Sequence, residues 1–212
     1  MIERNGNFIV FEGIDGSGKG TQVDLLHKKL ESYSGVRVHV TKEPTTNAIG
    51  SMIRSVYLSG KEKIDEKALR CLFTADNLDH SLNENYGTIH KLREGIHVIQ
   101  DRGYMSNLAY GALTMSLAES LSLTKACITA LRPTLTIFID IDAETSIQRI
   151  SYRGEAPEIY ESVEKMAKIR ENYFTIMSLL EEEGEAFSII DGKQSIERIH
   201  ELVWQRTSHL FS

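Results

Sequence analysis

The chain has 212 residues, which at roughly 150 residues per domain points to one domain with an elaboration. Its apolar share of 41% and charged share of 25% exclude collagen-like, low-complexity and disordered readings. With 24 basic against 30 acidic residues the net charge is −6; no global positive field exists to hold a duplex or an anionic membrane, so no nucleic-acid partner is expected and any anionic ligand needs a local site.

No apolar run approaches the roughly 20 residues of a membrane span, and Met1 to Asn7 is too polar for a signal peptide, so a cytoplasmic protein with no membrane partner is expected. Cys71 and Cys127 lie far apart with no CxxC pair, which suits a reducing compartment and makes both read as small packing residues.

Phe8 to Phe11 is a short apolar run ending in Glu12 and a glycine cluster, after which Val23, Leu25, Leu26 and Leu30 recur at helical spacing: strand, loop, helix. Ser34-Gly35 closes that helix, Val36 to Thr41 alternates like a second strand, and Lys42-Glu43-Pro44 breaks it. A short helix carries Ile49, Met52, Ile53 and Val56. Asp65 then caps a long helix with Leu69, Leu72, Phe73 and Leu82, and Gly87 and Gly95 mark breaks before a strand from His97 to Gln100. Leu135 to Ile139 is a fourth strand, Asp142 caps another helix, and Phe187 to Ile190 is a fifth strand before the final helix. Such alternation implies a parallel sheet with helices on both faces and ligands at the carboxyl ends of the strands. Glu181-Glu182-Glu183 reads as a solvated helix end.

Gly13-Ile14-Asp15-Gly16-Ser17-Gly18-Lys19 fits the G-x-x-x-x-G-K core of a phosphate-binding loop, with Gly20 where the usual motif has Ser or Thr. The loop follows a buried-type strand and opens a helix, where backbone N–H groups and the helix dipole receive phosphate oxygens. Lys19 reads as an exposed loop lysine offering a point charge to the β- and γ-phosphates, and Thr21, one place late, offers a hydroxyl to a metal ion or its water.

Phe11 to Lys19 with Thr21-Gln22 resembles the start of the thymidylate kinases, a branch of the nucleoside monophosphate kinases, whereas Gly20-Thr21 resembles the adenylate kinase version. Lys42-Glu43-Pro44, Ile53-Arg54, Leu72-Phe73 with Ala75-Asp76, Asp101-Arg102, Ser106, Ala109-Tyr110, Arg149 and Arg153 follow in family order. The resemblance implies a three-layer α/β P-loop NTPase fold with a five-stranded parallel sheet, one domain over residues 1–212 and a short lid near 149–158. It also implies an enzyme that transfers phosphate from ATP, with Mg²⁺, to dTMP, giving ADP and dTDP, and that forms a homodimer.

By the same resemblance Gly13 to Thr21 bind ATP, and Asp15 contacts the sugar 3′-hydroxyl or a magnesium-bound water. Pro44 and Arg54 belong to the acceptor site, Arg54 approaching the substrate phosphate; Arg102 holds the monophosphate and Phe73 stacks on thymine. Asn107 hydrogen-bonds the base, and Tyr110 lies near the sugar 2′ carbon and disfavours a ribose hydroxyl. The loop holds no arginine, so Arg149 and Arg153 are expected to supply the catalytic cation from the lid; four apart on a helix, they would point the same way.

Several positions depart from the family pattern. Asn77 stands where arginine is common, Gly111 where glutamine is frequent, and Thr45-Thr46 replaces a glycine pair. Asn77 can still bond a base carbonyl directly or through water. A kinase for another pyrimidine or deoxynucleoside monophosphate is therefore the alternative within the class. A non-catalytic nucleotide switch is the alternative outside it, although the chain lacks the N-K-x-D guanine motif.

Overall fold

The computed structural model describes residues 4–152, 160 and 162–211. Strands β1 (Phe8–Glu12), β2 (Val38–Lys42), β3 (His97–Asp101), β4 (Leu135–Asp140) and β5 (Phe187–Asp191) form one sheet in the order β2-β3-β1-β4-β5. Every pairing is parallel. β1 is central and all five of its residues are buried, which is why it reads as a continuous apolar run and does not alternate.

Successive β1 side chains serve opposite layers. Ile9 and Phe11 pack with Val23, Leu26 and Leu30 of α1 (Lys19–Glu31) and with Ile199 and Val203 of α9 (Ile196–Thr207). Phe8 and Val10 face the other layer, with Ile89 and Leu92 of α4 (Thr88–Arg93). That second layer also holds α3 (Glu66–Leu82), α5 (Tyr104–Gly111), α6 (Leu117–Ala130) and α8 (Val163–Glu182), which share a core with Phe138 of β4. The layering is the three-layer α/β arrangement expected.

The expected caps are present: Asp65 accepts from the backbone of Lys67 and Ala68 at the start of α3, and Asp142 accepts from Thr145 N at 2.8 Å to open α7 (Ala143–Ser151). The short helix around residue 50 is two pieces, α2 (Ala48–Met52) and a π-helix over Ile53–Leu58.

Helices α4, α5 and α6 are absent from the sequence reading, and of α8 it contains only the acidic end at Glu181 to Glu183. α5 is buried at nearly every position, so it lacks the polar stripe that makes an amphipathic helix visible. α6 did carry a legible start, because Ser116 and Glu119 form a capping box. Cys127 is buried, and burial pushes its thiol up to about 12; Cys71 is exposed and is not the packing residue expected. No helix of the described residues is long and apolar enough to cross a membrane.

Candidate active site

The loop from Gly13 to Lys19 leaves the carboxyl end of β1 and turns into α1. Gly13 (φ 146°) and Gly16 (φ 76°) adopt left-handed backbone in tight places: an added Cβ would lie 2.5 Å from Ile139 O at the first and 2.8 Å from Ser146 O at the second. Gly18, the N-cap of α1, supplies no side-chain cap, so the first-turn N–H groups point into the loop as anion donors.

Lys19 is buried, not exposed as expected. Its Nζ donates to Gly13 O and Ile14 O, both at 3.0 Å, filling the loop with positive charge. Burial lowers its pKa to about 8, with Arg102 adding to the effect and Asp101, Asp15 and Glu12 opposing it. The glycine cradle, the free first-turn amides and the buried lysine together fit a polyphosphate.

Arg102 begins one residue beyond β3, and its backbone lies beside Phe11. It is the one non-glycine residue with a left-handed φ (65°) among the described residues, a conformation that costs about 1–3 kcal/mol and collects at functional sites. The turn is held by Arg102 N donating to Phe11 O at 2.9 Å and by Gln100 Nε2 donating to Arg102 O at 2.8 Å. Its guanidinium then reaches Asp15, Tyr110 Oη at 3.2 Å, Ser106 Oγ at 3.0 Å and Gly13 O at 3.3 Å. Burial lowers the Arg102 pKa, but Asp15, Tyr110, Tyr173 and Asp101 together outweigh it and the guanidinium stays charged. Asp15 is the mirror case: burial raises it, Arg102 and Lys19 overcome that, and the carboxyl sits below its usual range.

Behind this pair lies Glu12, fully buried and absent from the sequence-derived site. Its carboxylate accepts from Gly103 N at 2.8 Å, Ser106 Oγ at 2.6 Å and Tyr173 Oη at 2.9 Å. Gly103 caps α5 without a side chain of its own, so Glu12 serves as the cap from across the sheet and fixes the turn that aims Arg102. Burial raises the Glu12 pKa, and those hydrogen bonds oppose the rise. The signal in sequence was only its place between a buried strand and the glycine loop.

Next to Asp15 and Arg102 opens a cavity of about 220 Å³, lined also by Pro44, Arg54, Phe73, Asn107 and Tyr110. These expected acceptor-site residues are thus brought together by four separate segments. Arg54 donates to Pro44 O at 2.8 Å, and that loop is itself pinned by α3, where Asp76 accepts from Thr45 N at 2.8 Å and Thr45 Oγ1 at 2.6 Å. Tyr110 donates to Asp15 Oδ2 at 2.8 Å.

Asn77 does not line this cavity. Its amide donates to Glu43 at 2.8 and 2.9 Å, in a polar knot that His80 and Gln100 complete around the same carboxylate. Asn77 is expected from the sequence to bond a base carbonyl directly or through water; its amide donors are instead spent on positioning the Glu43-Pro44 turn. In its place the cavity holds Arg70, which sequence reasoning missed because an arginine on a helix ordinarily points to solvent.

Arg149 stands on the other side of the phosphate loop, donating to Gly16 O at 3.3 Å and to Gly192 O at 2.9 Å. The described helix α7 ends at Ser151, and the expected pairing of Arg149 with position 153 lies outside the described residues. Arg153, and the lid segment beyond Tyr152, lie outside the described residues apart from Tyr160. Thr21 is exposed on α1, whereas Asp101 Oδ1 is buried without a partner among the described residues. A Cβ at Gly20 would lie 3.5 Å from Asp101 Oδ2, so a carboxylate stands beside the place of the usual Ser or Thr. That donor set suits a magnesium ion and its waters.

A glycine loop on the first strand of a parallel sheet, sharing one arginine with an adjoining polar and aromatic cavity, defines a P-loop nucleotide kinase. The thymidylate kinase family model matches residues 11–203. The chain is 36% identical over 208 residues to a protein of Thermococcus gammatolerans named a probable thymidylate kinase, covering 92% of each chain. A Pyrococcus horikoshii protein of the same name is 37% identical over 200 residues, again 92% of each, and one from Methanocaldococcus jannaschii is 34% identical over 198 residues, 91% of each. The chain belongs to the thymidylate kinase family.

Proposed function

We propose that the protein transfers the terminal phosphoryl group of ATP to dTMP, yielding ADP and dTDP. The observation that carries this reading is the placement of Arg102, whose guanidinium contacts the phosphate loop at Gly13 and lines the acceptor cavity. Phosphoryl transfer asks a protein mainly for in-line positioning and for cations around developing anionic oxygens. Lys19 and the backbone of Gly13 to Thr21 hold the donor phosphates, Arg102 and Arg54 hold the acceptor phosphate, and Phe73 supports the base. Tyr110, tied to Asp15, stands against a ribose 2′-hydroxyl. Arg153 completes the charge around the transferred group, and Arg149, at Gly16 and Gly192, belongs to the donor side.

Mg²⁺, when bound with ATP, supplies countercharge to the β- and γ-phosphate oxygens. Asp15, Thr21 and Asp101 are the side chains that would hold it or its waters.

Base choice rests on Asn107. Its Nδ2 donates to Thr74 Oγ1 at 2.9 Å and to Arg70 O at 3.4 Å, so its Oδ1 is turned the other way and has no partner among the described residues. A buried unpaired acceptor favours a base that presents an N–H, as the imide of thymine does. Two copies forming a homodimer in the cytoplasm complete the proposal, and light scattering tests the dimer. The main test is ADP release with ATP and Mg²⁺ across dTMP, dUMP, dCMP and dAMP at equal concentration. dTMP should win, with dUMP slower by only about fourfold, since a buried methyl contributes about 0.8 kcal/mol. A win by dCMP or dAMP would overturn the substrate while leaving a kinase.

A further inference from the structure

Of the cations lining the acceptor cavity, Arg70 alone is buried, with 2% of its surface exposed. No carboxylate among the described residues pairs with it directly. Its Nη2 donates to the Tyr160 hydroxyl, which donates to Glu66 Oε2 at 3.0 Å. Its Cζ lies 4.5 Å from the centre of the Phe73 ring and 5.3 Å from that of Tyr160, so two aromatic contacts restrain the guanidinium. Its Nε is buried and unpartnered among the described residues, a costly state for a charged group unless a ligand completes it.

The route of the side chain is equally specific. A Cβ at Gly111 would lie 3.3 Å from Arg70 Cδ and 2.8 Å from Ser120 Oγ, so the arginine stem crosses α5 at the one residue that leaves it room. Asn107 is its neighbour, bonded through the Arg70 carbonyl, and carries the unpaired Oδ1. Arg70 and Asn107 both line the cavity, and each keeps one unmatched polar atom among the described residues, a cationic donor on the first and an acceptor on the second.

We propose that Arg70 is a specificity-determining residue of the acceptor site, donating from its Nε edge to the O4 carbonyl of the thymine ring while Asn107 Oδ1 accepts the N3–H. This rests on the dTMP reading above. Cytosine inverts both groups, presenting an amino donor and a ring-nitrogen acceptor, and so leaves both protein groups unpaired. Because the guanidinium covers one face of Phe73, a base has at most the other face for stacking.

The test is Arg70→Met, which keeps the stem across Gly111 and removes every donor. KM for dTMP should rise roughly ten- to hundredfold with ATP KM within about twofold, and the preference for dTMP over dCMP should shrink at least tenfold. Equal losses on dTMP, dUMP and dCMP, or a parallel loss of ATP affinity, would mark Arg70 as structural and overturn the proposal. So would an unchanged dTMP KM. Should Arg70→Met fail to fold, Arg70→Lys retains the charge without the planar edge; it should still narrow the dTMP-to-dCMP ratio, and wild-type discrimination in a folded Arg70→Lys protein overturns the proposal. Failure of the underlying reading is separate, since wild-type protein would then release no ADP with dTMP.

Discussion

The donor loop and the acceptor cavity solve anion and base recognition in different ways. The loop is one contiguous segment in which backbone amides, three left-handed glycines and a single lysine do the binding. The cavity is lined by residues drawn from several segments, among them the 42–44 turn, the π-helix at Arg54 and Leu58, α3, α5 and position 160. Main-chain donors look alike whatever the sequence, so the loop suits a phosphate that every nucleotide carries. Side chains can be exchanged one at a time, so the cavity is where an acceptor can be chosen. Arg102 belongs to both, and its strained backbone marks the seam.

The largest effect should break the donor side. Lys19→Ala should reduce turnover by roughly a thousandfold, and the melting midpoint should not fall, because a cation whose burial is unfavourable is removed. Single-turnover phosphate transfer and a thermal melt decide it; a variant keeping more than about a tenth of wild-type turnover would contradict the loop assignment.

A second pair of substitutions separates the two arginines that the sequence grouped together. Arg153→Ala should lower kcat at least about a hundredfold with little change in ATP KM, the mark of a contact made mainly in the transition state. Arg149→Ala should do the reverse, raising ATP KM roughly tenfold with kcat within about threefold, because its partners are Gly16 and Gly192 on the donor side. Steady-state kinetics with ATP varied show whether the two differ.

At the seam, Arg102→Ala should raise the acceptor KM by about a hundredfold while the ATP dissociation constant moves less than about fivefold. Titration calorimetry with each nucleotide separates these, and equal losses for both would place Arg102 wholly in the donor site. Removing it also leaves Asp15 with only Tyr110 as a side-chain donor among the described residues.

The smallest effect is one of pH. The Lys19 pKa lies at about 8 in the free protein against an ordinary 10.5, and bound phosphates favour its charged form. Below about 8 the lysine is already protonated and adds no pH dependence of its own to binding. Above about 8, ATP binding should take up a proton, and affinity should fall by up to about tenfold per pH unit until the pKa of the bound lysine is reached. Calorimetry at pH 8.5 in buffers of different ionisation enthalpy should show this uptake, and Lys19→Ala should abolish it.

The loop was legible in the sequence for a physical reason: seven consecutive residues, Gly13 to Lys19, bind through local backbone geometry. The buried strand before them and the periodic helix after them are also local patterns. The five strands and the Asp65 and Asp142 caps follow from the same short-range rules. Phe73, Asn107 and Tyr110 could be proposed as acceptor-site residues from the resemblance, but their convergence on one cavity required the sheet to bring α3 and α5 together.

Tertiary structure alone decided the direction of long polar side chains. Asn77 turns to Glu43, in the turn after β2 and remote in sequence; Lys19 folds back into its own loop and is buried; Glu12 caps a helix that begins beyond β3. Arg70 enters the cavity because Gly111, forty-one positions later, leaves room for its stem. Helical and strand periodicity specify which face a Cα presents, but the reach and partner of a guanidinium or carboxylate depend on what packs against it, and those neighbours are set by the assembled layers.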